Sequence, residues 1–294
     1  MERCSYRPAR QSDLPMLRSE LDEGAWRHLS SLLEFTCTQP EWILLAIDGE
    51  SLVGALVLAA PSEFNLPVEI IRLHEGLDGG IGGLRLFELA IGKAKTLGAR
   101  LLYCTRPVDC ADAVLLAEAQ FRPWRKVVRF QSEDPIKLGG PRYRSTEAGN
   151  FARAVIIELI EKTSENCSDS QIEFYRRCLG GIADAEMTLQ MMETIRYDPS
   201  WWRVALDPDG NALGIILPVM AFGEATVGFI GVVPEWRGRR IASFLLMEAW
   251  SVMKQQGYSR LCAEADERNV SMHRALTKSQ FRRQSQMQEW RLEL

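Results

Sequence analysis

Apolar and polar positions follow the same order twice along this chain. Residues 42–47 and 52–60 are apolar and rich in Val, Leu and Ile, with the polar stretch Asp48-Gly49-Glu50-Ser51 between them. Two such runs around a Gly-containing link predict a β-hairpin. Residues 68–73 predict a third strand. Residues 84–97 carry apolar side chains at 84, 86, 87, 90, 91, 94 and 97, a helical period that stops at Gly98. A strand at 100–104, a short helix at 111–119 and a strand at 124–130 complete the first series.

The second series repeats it. Strands are expected at 202–206, 213–220 and 226–233, a helix at 241–256, a strand at 260–265, a helix at 270–279 and a last strand at 286–292. Helices at 151–163, 170–179 and 185–193 precede them. Trp42 falls on Trp202, Gly54 on Gly214 and Gln120-Phe121 on Gln280-Phe281, a shared displacement of 160 positions. One displacement kept through several segments marks an internal duplication. The stretch 132–145 holds Pro135, Gly139, Gly140 and Pro141, which no regular element accommodates. The expected division is a first domain at 1–133, a linker at 134–144 and a second domain at 145–294. The order β-α-α-β-β-β-α-β-α-β implies an α/β domain with a mixed sheet.

Composition narrows the functional classes. A chain of 294 residues with 46% hydrophobic and 25% charged positions can bury one or two full cores. Its formal net charge of -4 gives no basic footprint for nucleic acid. No apolar run approaches the roughly 20 residues of a membrane span, and the first residues show no secretory leader. The seven Cys form no CxxC pair and the three His lie far apart, so no metal-ligand spacing exists. Scattered cysteines fit a reducing cytoplasm.

One turn carries distinctive chemistry. In Val232-Val233-Pro234-Glu235-Trp236-Arg237-Gly238-Arg239-Arg240-Ile241-Ala242, a strand ends, three arginines surround one glycine and a helix begins. Arginine at a helix start opposes the helix dipole, so the cluster calls for an anionic partner. That partner is either a carboxylate such as Glu235 or Asp266, or a phosphate cradled by backbone N–H groups at the helix N-terminus.

This stretch resembles the acyl-CoA cradle of the GNAT acetyltransferase superfamily, [RQ]-x-x-G-x-[GA] after a strand and a proline. Arg237, Gly238, Arg239, Arg240, Ile241 and Ala242 occupy its six positions, with Arg240 where the family has Gly. The later stretch Leu261–Phe281 resembles the family's segment N-x-x-A-x-x-x-Y-x-x-x-G-F, with Asn269 and Phe281 in place. Leu276 stands at the usual Tyr and Gln280 at the usual Gly.

The resemblance implies two tandem GNAT-like domains in a mycothiol-synthase-like arrangement, each a mixed, mostly antiparallel sheet flanked by helices. It implies an N-acetyltransferase that moves an acetyl group from acetyl-CoA, with no metal, directly to an amine of an acceptor that the sequence does not identify. Val232 and Val233 would line the pantetheine arm, residues 237–242 would hold the pyrophosphate, and Asn269 would cap its helix or meet the pantetheine amide. Glu264 is the candidate general base, with Asp266 and Glu224 as alternatives; the usual Glu inside the fourth strand is Gly228. In the first copy the cradle reads Leu-Asp-Gly-Gly-Ile-Gly-Gly from Leu77, without arginine, so the acyl-CoA site is assigned to the second. The alternative is a non-catalytic acyl-CoA-binding or protein-interaction module. Oligomeric state is not encoded in any of these patterns.

Overall fold

A computed structural model describes residues 4–34, 36–60, 68–74, 81–110, 112–134, 143–221 and 223–294. The first half of the sequence forms β1 (Cys4–Pro8), α1 (Leu14–Glu20), α2 (Glu23–Glu34), β2 (Ile43–Asp48), β3 (Ser51–Ala59), β4 (Val68–His74), α3 (Ile81–Thr96), β5 (Leu101–Pro107), α4 (Asp112–Glu118) and β6 (Arg122–Ser132). The second half forms β7 (Arg144–Glu147), α5 (Arg153–Ser164), α6 (Ser170–Leu179), α7 (Gly181–Thr194), β8 (Arg203–Leu206), β9 (Ala212–Ala221), β10 (Glu224–Val232), α8 (Ile241–Gln255), β11 (Leu261–Asp266), α9 (Val270–Lys278) and β12 (Arg282–Glu293). Helix α7 starts earlier than its apolar period suggests, because Gly180 at φ 87° ends α6 and the chain turns straight into the next helix. Most of the linker expected at 134–144, and the first-copy residues 77–80, lie outside the described residues.

Two compact units result: Met1–Lys126 with Met287–Leu294, and Val127–Gln286. The first unit's sheet runs β1, β2, β3, β4, β5 and then the Met287–Glu293 part of β12. The second runs β7, β8, β9, β10, β11 and then the Val127–Ser132 part of β6. In each sheet every pair is antiparallel except one, β4 with β5 and β10 with β11. The unit boundaries therefore fall inside β6 and β12, rather than in the linker at 134–144. Each half of the sequence gives its last strand to the other unit's sheet. Self-similarity cannot reveal this, because the two final strands are copies of one pattern and either fits an antiparallel sheet edge.

Strand alternation builds the cores. In the first unit Ile43, Leu45, Val57 and Ile71 meet Leu17 and Leu29 of α1 and α2, while Leu44, Leu56, Leu58 and Ile70 meet Phe87 and Ala90 of α3 on the other face. In the second unit α5 covers one face of β9 and β10 and α8 covers the other. Among the described residues no helix is long and apolar enough to cross a membrane.

Candidate functional site

The site grows from a strand that pairs fully on one side and barely on the other. β10 follows β9 along its whole length, with a register shift between Val227 and Phe229. With its parallel neighbour β11 it pairs only at Thr226–Cys262 and Val227–Ala263. Beyond that point residues 228–232 and 264–266 diverge, which is the bend a bulge imposes. Gly228 sits in the shifted segment, and a Cβ there would lie 2.4 Å from Met192 Sδ of α7. Gly231 allows an equally close approach by α5, since a Cβ would meet Thr163 Oγ1 at 2.3 Å. The two glycines bring a roof of helices onto the open part of the strand.

The polarity of the open edge follows from one bond. Val233 N–H donates to Leu213 O across to β9 at 2.9 Å. By strand alternation, the N–H and C=O of Val232 face the gap between β10 and β11. The same gap opens in the first unit, where β4 and β5 pair only at Val68–Leu102 and Glu69–Tyr103.

After Val233 the chain makes a single 3-10 turn, Pro234–Trp236, and reaches α8 through Gly238 at φ 77° and Arg240 at φ 67°, ψ 15°. Arg240 thus holds the left-handed conformation at the position where the family pattern has glycine. The first intrahelical bond of α8 is Phe244 N–H to Arg240 O at 3.0 Å. The N–H groups of Ile241, Ala242 and Ser243 accordingly have no partner within the helix. The start of α8 presents three donors and the positive end of a helix dipole.

The three arginines separate into two roles. Arg237, Gly238, Arg239 and Arg240 are all exposed, and it is their partners that differ. The Arg239 guanidinium lies 4.5 Å from the centre of the Trp236 ring, and its carbonyl accepts the Tyr143 hydroxyl at 2.9 Å. Arg237 turns the other way. Its Nε donates to Val232 O at 3.1 Å, Nη1 to Asn166 O at 3.2 Å, and Nη2 to Thr163 O at 3.0 Å and Glu165 O at 2.5 Å. The carboxylates that might have answered the cluster have other partners. Glu235 faces Lys162 at 3.7 Å, and Asp266 accepts the backbone N–H of Ser170 at 2.9 Å and of Arg268 at 2.8 Å.

Cys262, Glu264 and Asp266 alternate onto one face of β11. Glu264 is exposed there and stands opposite Arg129 of β6. The Arg129 guanidinium pairs with Glu224 and approaches Cys262 Sγ at 3.7 Å, while Arg260 reaches Glu224 at 3.5 Å. Of the three candidate bases, Glu224 is thus neutralised by two arginines, and buried Asp266 anchors the start of α6. Burial pushes the Cys262 thiol up from its ordinary range, which suits a packed sulfur rather than a nucleophile.

Asn269 caps α9: its Oδ1 accepts Met272 N–H at 3.1 Å. Its Nδ2 points to Cys167 Sγ in the α5–α6 loop at 4.0 Å. Leu276, at the family's tyrosine position, is buried in the core. Sequence reasoning gave little weight to Asp184, in the first turn of α7. It is 2% exposed, and burial, reinforced by Asp169 and relieved by Arg176, pushes its carboxyl up to about 6. The expected helix at 185–193 starts one residue after Asp184, so the sequence pattern did not place this residue on a buried helix face.

The model of the acetyltransferase (GNAT) family matches residues 172–281. The whole chain is similar in fold to a GCN5-related N-acetyltransferase from Sphaerobacter thermophilus, at 18% identity, covering 100% of this chain and 96% of that one with a TM-score of 0.73. It is similar to a tandem GNAT protein from the clavulanic acid biosynthesis pathway, at 15% identity, 99% and 98% coverage and a TM-score of 0.61. A putative acetyltransferase from Pyrococcus horikoshii matches at 14% identity, 100% and 90% coverage and a TM-score of 0.57. No curated protein matches the chain.

Proposed function

We propose that this protein is an N-acetyltransferase whose second unit moves an acetyl group from acetyl-CoA to an amine; the match of residues 172–281 to the GNAT acetyltransferase family model supports this reading. The observation that carries this reading is the junction of gap and turn. The unpaired edge of β10 leads directly to the start of α8, where unsatisfied N–H groups and exposed Arg239 and Arg240 gather. A pantetheine arm pairs with such an edge as an added strand would, and a pyrophosphate suits such a helix start.

The residues present fit that donor. Ile241 and Ala242 would offer backbone N–H groups to the pyrophosphate, with Arg239 and Arg240 adding charge-assisted bonds. Trp236, under Arg239, keeps that guanidinium over the turn. The Val232 N–H faces the gap and would hold the negative charge that develops on the thioester oxygen. Glu264 would take the proton from the attacking amine, directly or through one water. With Leu276 buried at the tyrosine position, no side chain there protonates the departing thiolate, which leaves as such or through water. The free cysteines fit a cytoplasmic protein.

Calorimetry with acetyl-CoA tests the reading on the intact protein and on Arg239→Ala with Arg240→Ala. Binding that weakens in the double variant, steeply as salt is lowered, is expected; no binding by the intact protein overturns it. The buried Leu276 also favours a second reading, a module that holds acyl-CoA without turnover. Thiol release across a panel of amines separates the two.

A further inference from the structure

The gap needs something to hold its width, since β10 and β11 have no mutual bonds past Val227 and Ala263. The α5–α6 loop, residues 165–169, is fastened to the ends of both strands. On the β11 side, Asp266 accepts Ser170 N–H at 2.9 Å and Asn269 meets Cys167 at 4.0 Å. On the β10 side, beside the exposed Lys162–Glu235 pair, the hydrogen-bonded anchor is Arg237, which joins the Val232 carbonyl to the carbonyls of Thr163, Glu165 and Asn166. Four of its five N–H groups are used, all on backbone. Its charge rests against the negative end of α5.

We propose that Arg237 is a positioning residue rather than a phosphate ligand: it clamps the α5–α6 loop to the end of β10 and so sets the width of the gap that receives the thioester. This rests on the reading of the gap as the acetyl-CoA site. The family position suggests a pyrophosphate contact for Arg237, but turning to a pyrophosphate would release the loop carbonyls it holds. Binding the Val232 carbonyl also leaves the neighbouring N–H as the group this residue presents to the gap. Arg239 and Arg240 make no such bonds and remain for the anion.

The two roles predict different losses. A phosphate ligand matters only for a donor with phosphates; a clamp matters for any thioester in the gap. Arg237→Ala and Arg237→Lys are assayed with acetyl-CoA and with S-acetylpantetheine, which has no phosphate. The expected result is a loss of about tenfold or more in kcat/KM, the same for both donors and not rescued by lysine, which cannot reach four carbonyls at once. Arg239→Ala is expected to lose only with acetyl-CoA. A loss confined to acetyl-CoA, or rescue by lysine, overturns the clamp.

Amide hydrogen exchange decides the matter without turnover and on the unaltered protein. Residues 163–170 are expected to be protected equally with and without CoA, because the clamp needs no ligand. Protection that appears only with CoA overturns the proposal. This readout stands whether or not any amine is acetylated, so a failed clamp and a failed acetyltransferase reading remain distinguishable.

Discussion

Glu289, near the end of the chain, accepts the Nε–H of Arg125 at 2.8 Å across 164 residues of sequence, and both side chains are almost wholly buried. Glu289 also faces Arg291 at 3.4 Å and lies opposite Thr105 of β5. The outer strand of the first unit is thus held from the end of the second half of the sequence. Removing Glu289 takes from two largely buried arginines, Arg125 and Arg291, the carboxylate that they share. Glu289→Ala should therefore destabilise the first unit by about 3–5 kcal/mol, read as a lowered midpoint in chemical denaturation. Ending the chain after Gln286 should be worse, since it removes all of the part of β12 that pairs with β5; proteolysis within residues 1–126 would report it.

Arg240 is strained where the family has glycine. Its φ of 67° and ψ of 15° cost an L-residue with a side chain about 1 kcal/mol. Arg240→Gly should raise stability by about 0.5–1 kcal/mol. If its guanidinium meets the donor's phosphates, the same variant should bind acetyl-CoA several-fold more weakly, and less so at high salt. A thermal melt and a titration on one preparation check both signs. Unchanged affinity with raised stability would assign the anion to Arg239 and the helix N-terminus alone.

Glu264 is an exposed carboxylate on the part of β11 that no longer pairs with β10. Glu264→Gln should lower kcat by about 10²–10⁴-fold while acetyl-CoA binding and melting temperature stay the same. The loss should shrink as pH rises and more of the acceptor amine is already deprotonated. A pH–rate profile of both proteins with one amine reads this. An equal loss at every pH would place Glu264 in acceptor binding rather than in proton transfer.

The placement of the chemistry was legible to differing depths, and particular residues show why. The repeated apolar pattern placed β8 to β12 of the second copy within a few positions. The apolar runs of β2 and β3 marked them as strands but not which side chains share a face, because both faces are buried. The course of β12 was not legible, because a duplicated strand carries the same pattern for either sheet edge. The split of Arg237 from Arg239 was hidden for a related reason. Three arginines in one turn look alike in sequence, and only the end of α5, brought in by Gly231, gives one of them three carbonyls beside that of Val232. Arg240 was the opposite case: its departure from the glycine pattern was visible, and the backbone kept the glycine-like conformation anyway.

Asp184 makes the stability of the second unit fall as pH rises. Its carboxyl is 2% exposed and is pushed up to about 6, chiefly by burial. The usual value near 3.9 applies in the unfolded chain. Between those two values the folded state holds a proton that the unfolded state has released, so folding is favoured at the acid side and weakens through this window. Above it, the folded protein carries a buried charge whose nearest cation, Arg176, is already bonded to Glu161 at 2.8 Å. Asp184→Asn keeps the shape and removes the charge. It should stabilise the protein by about 1–3 kcal/mol at pH 8 and by nearly nothing at pH 4, where Asp184 is protonated in the fold. Denaturation midpoints of the two proteins at pH 4, 6 and 8 measure the difference; a gain that is equal at all three would mean that asparagine acts through packing and not through charge.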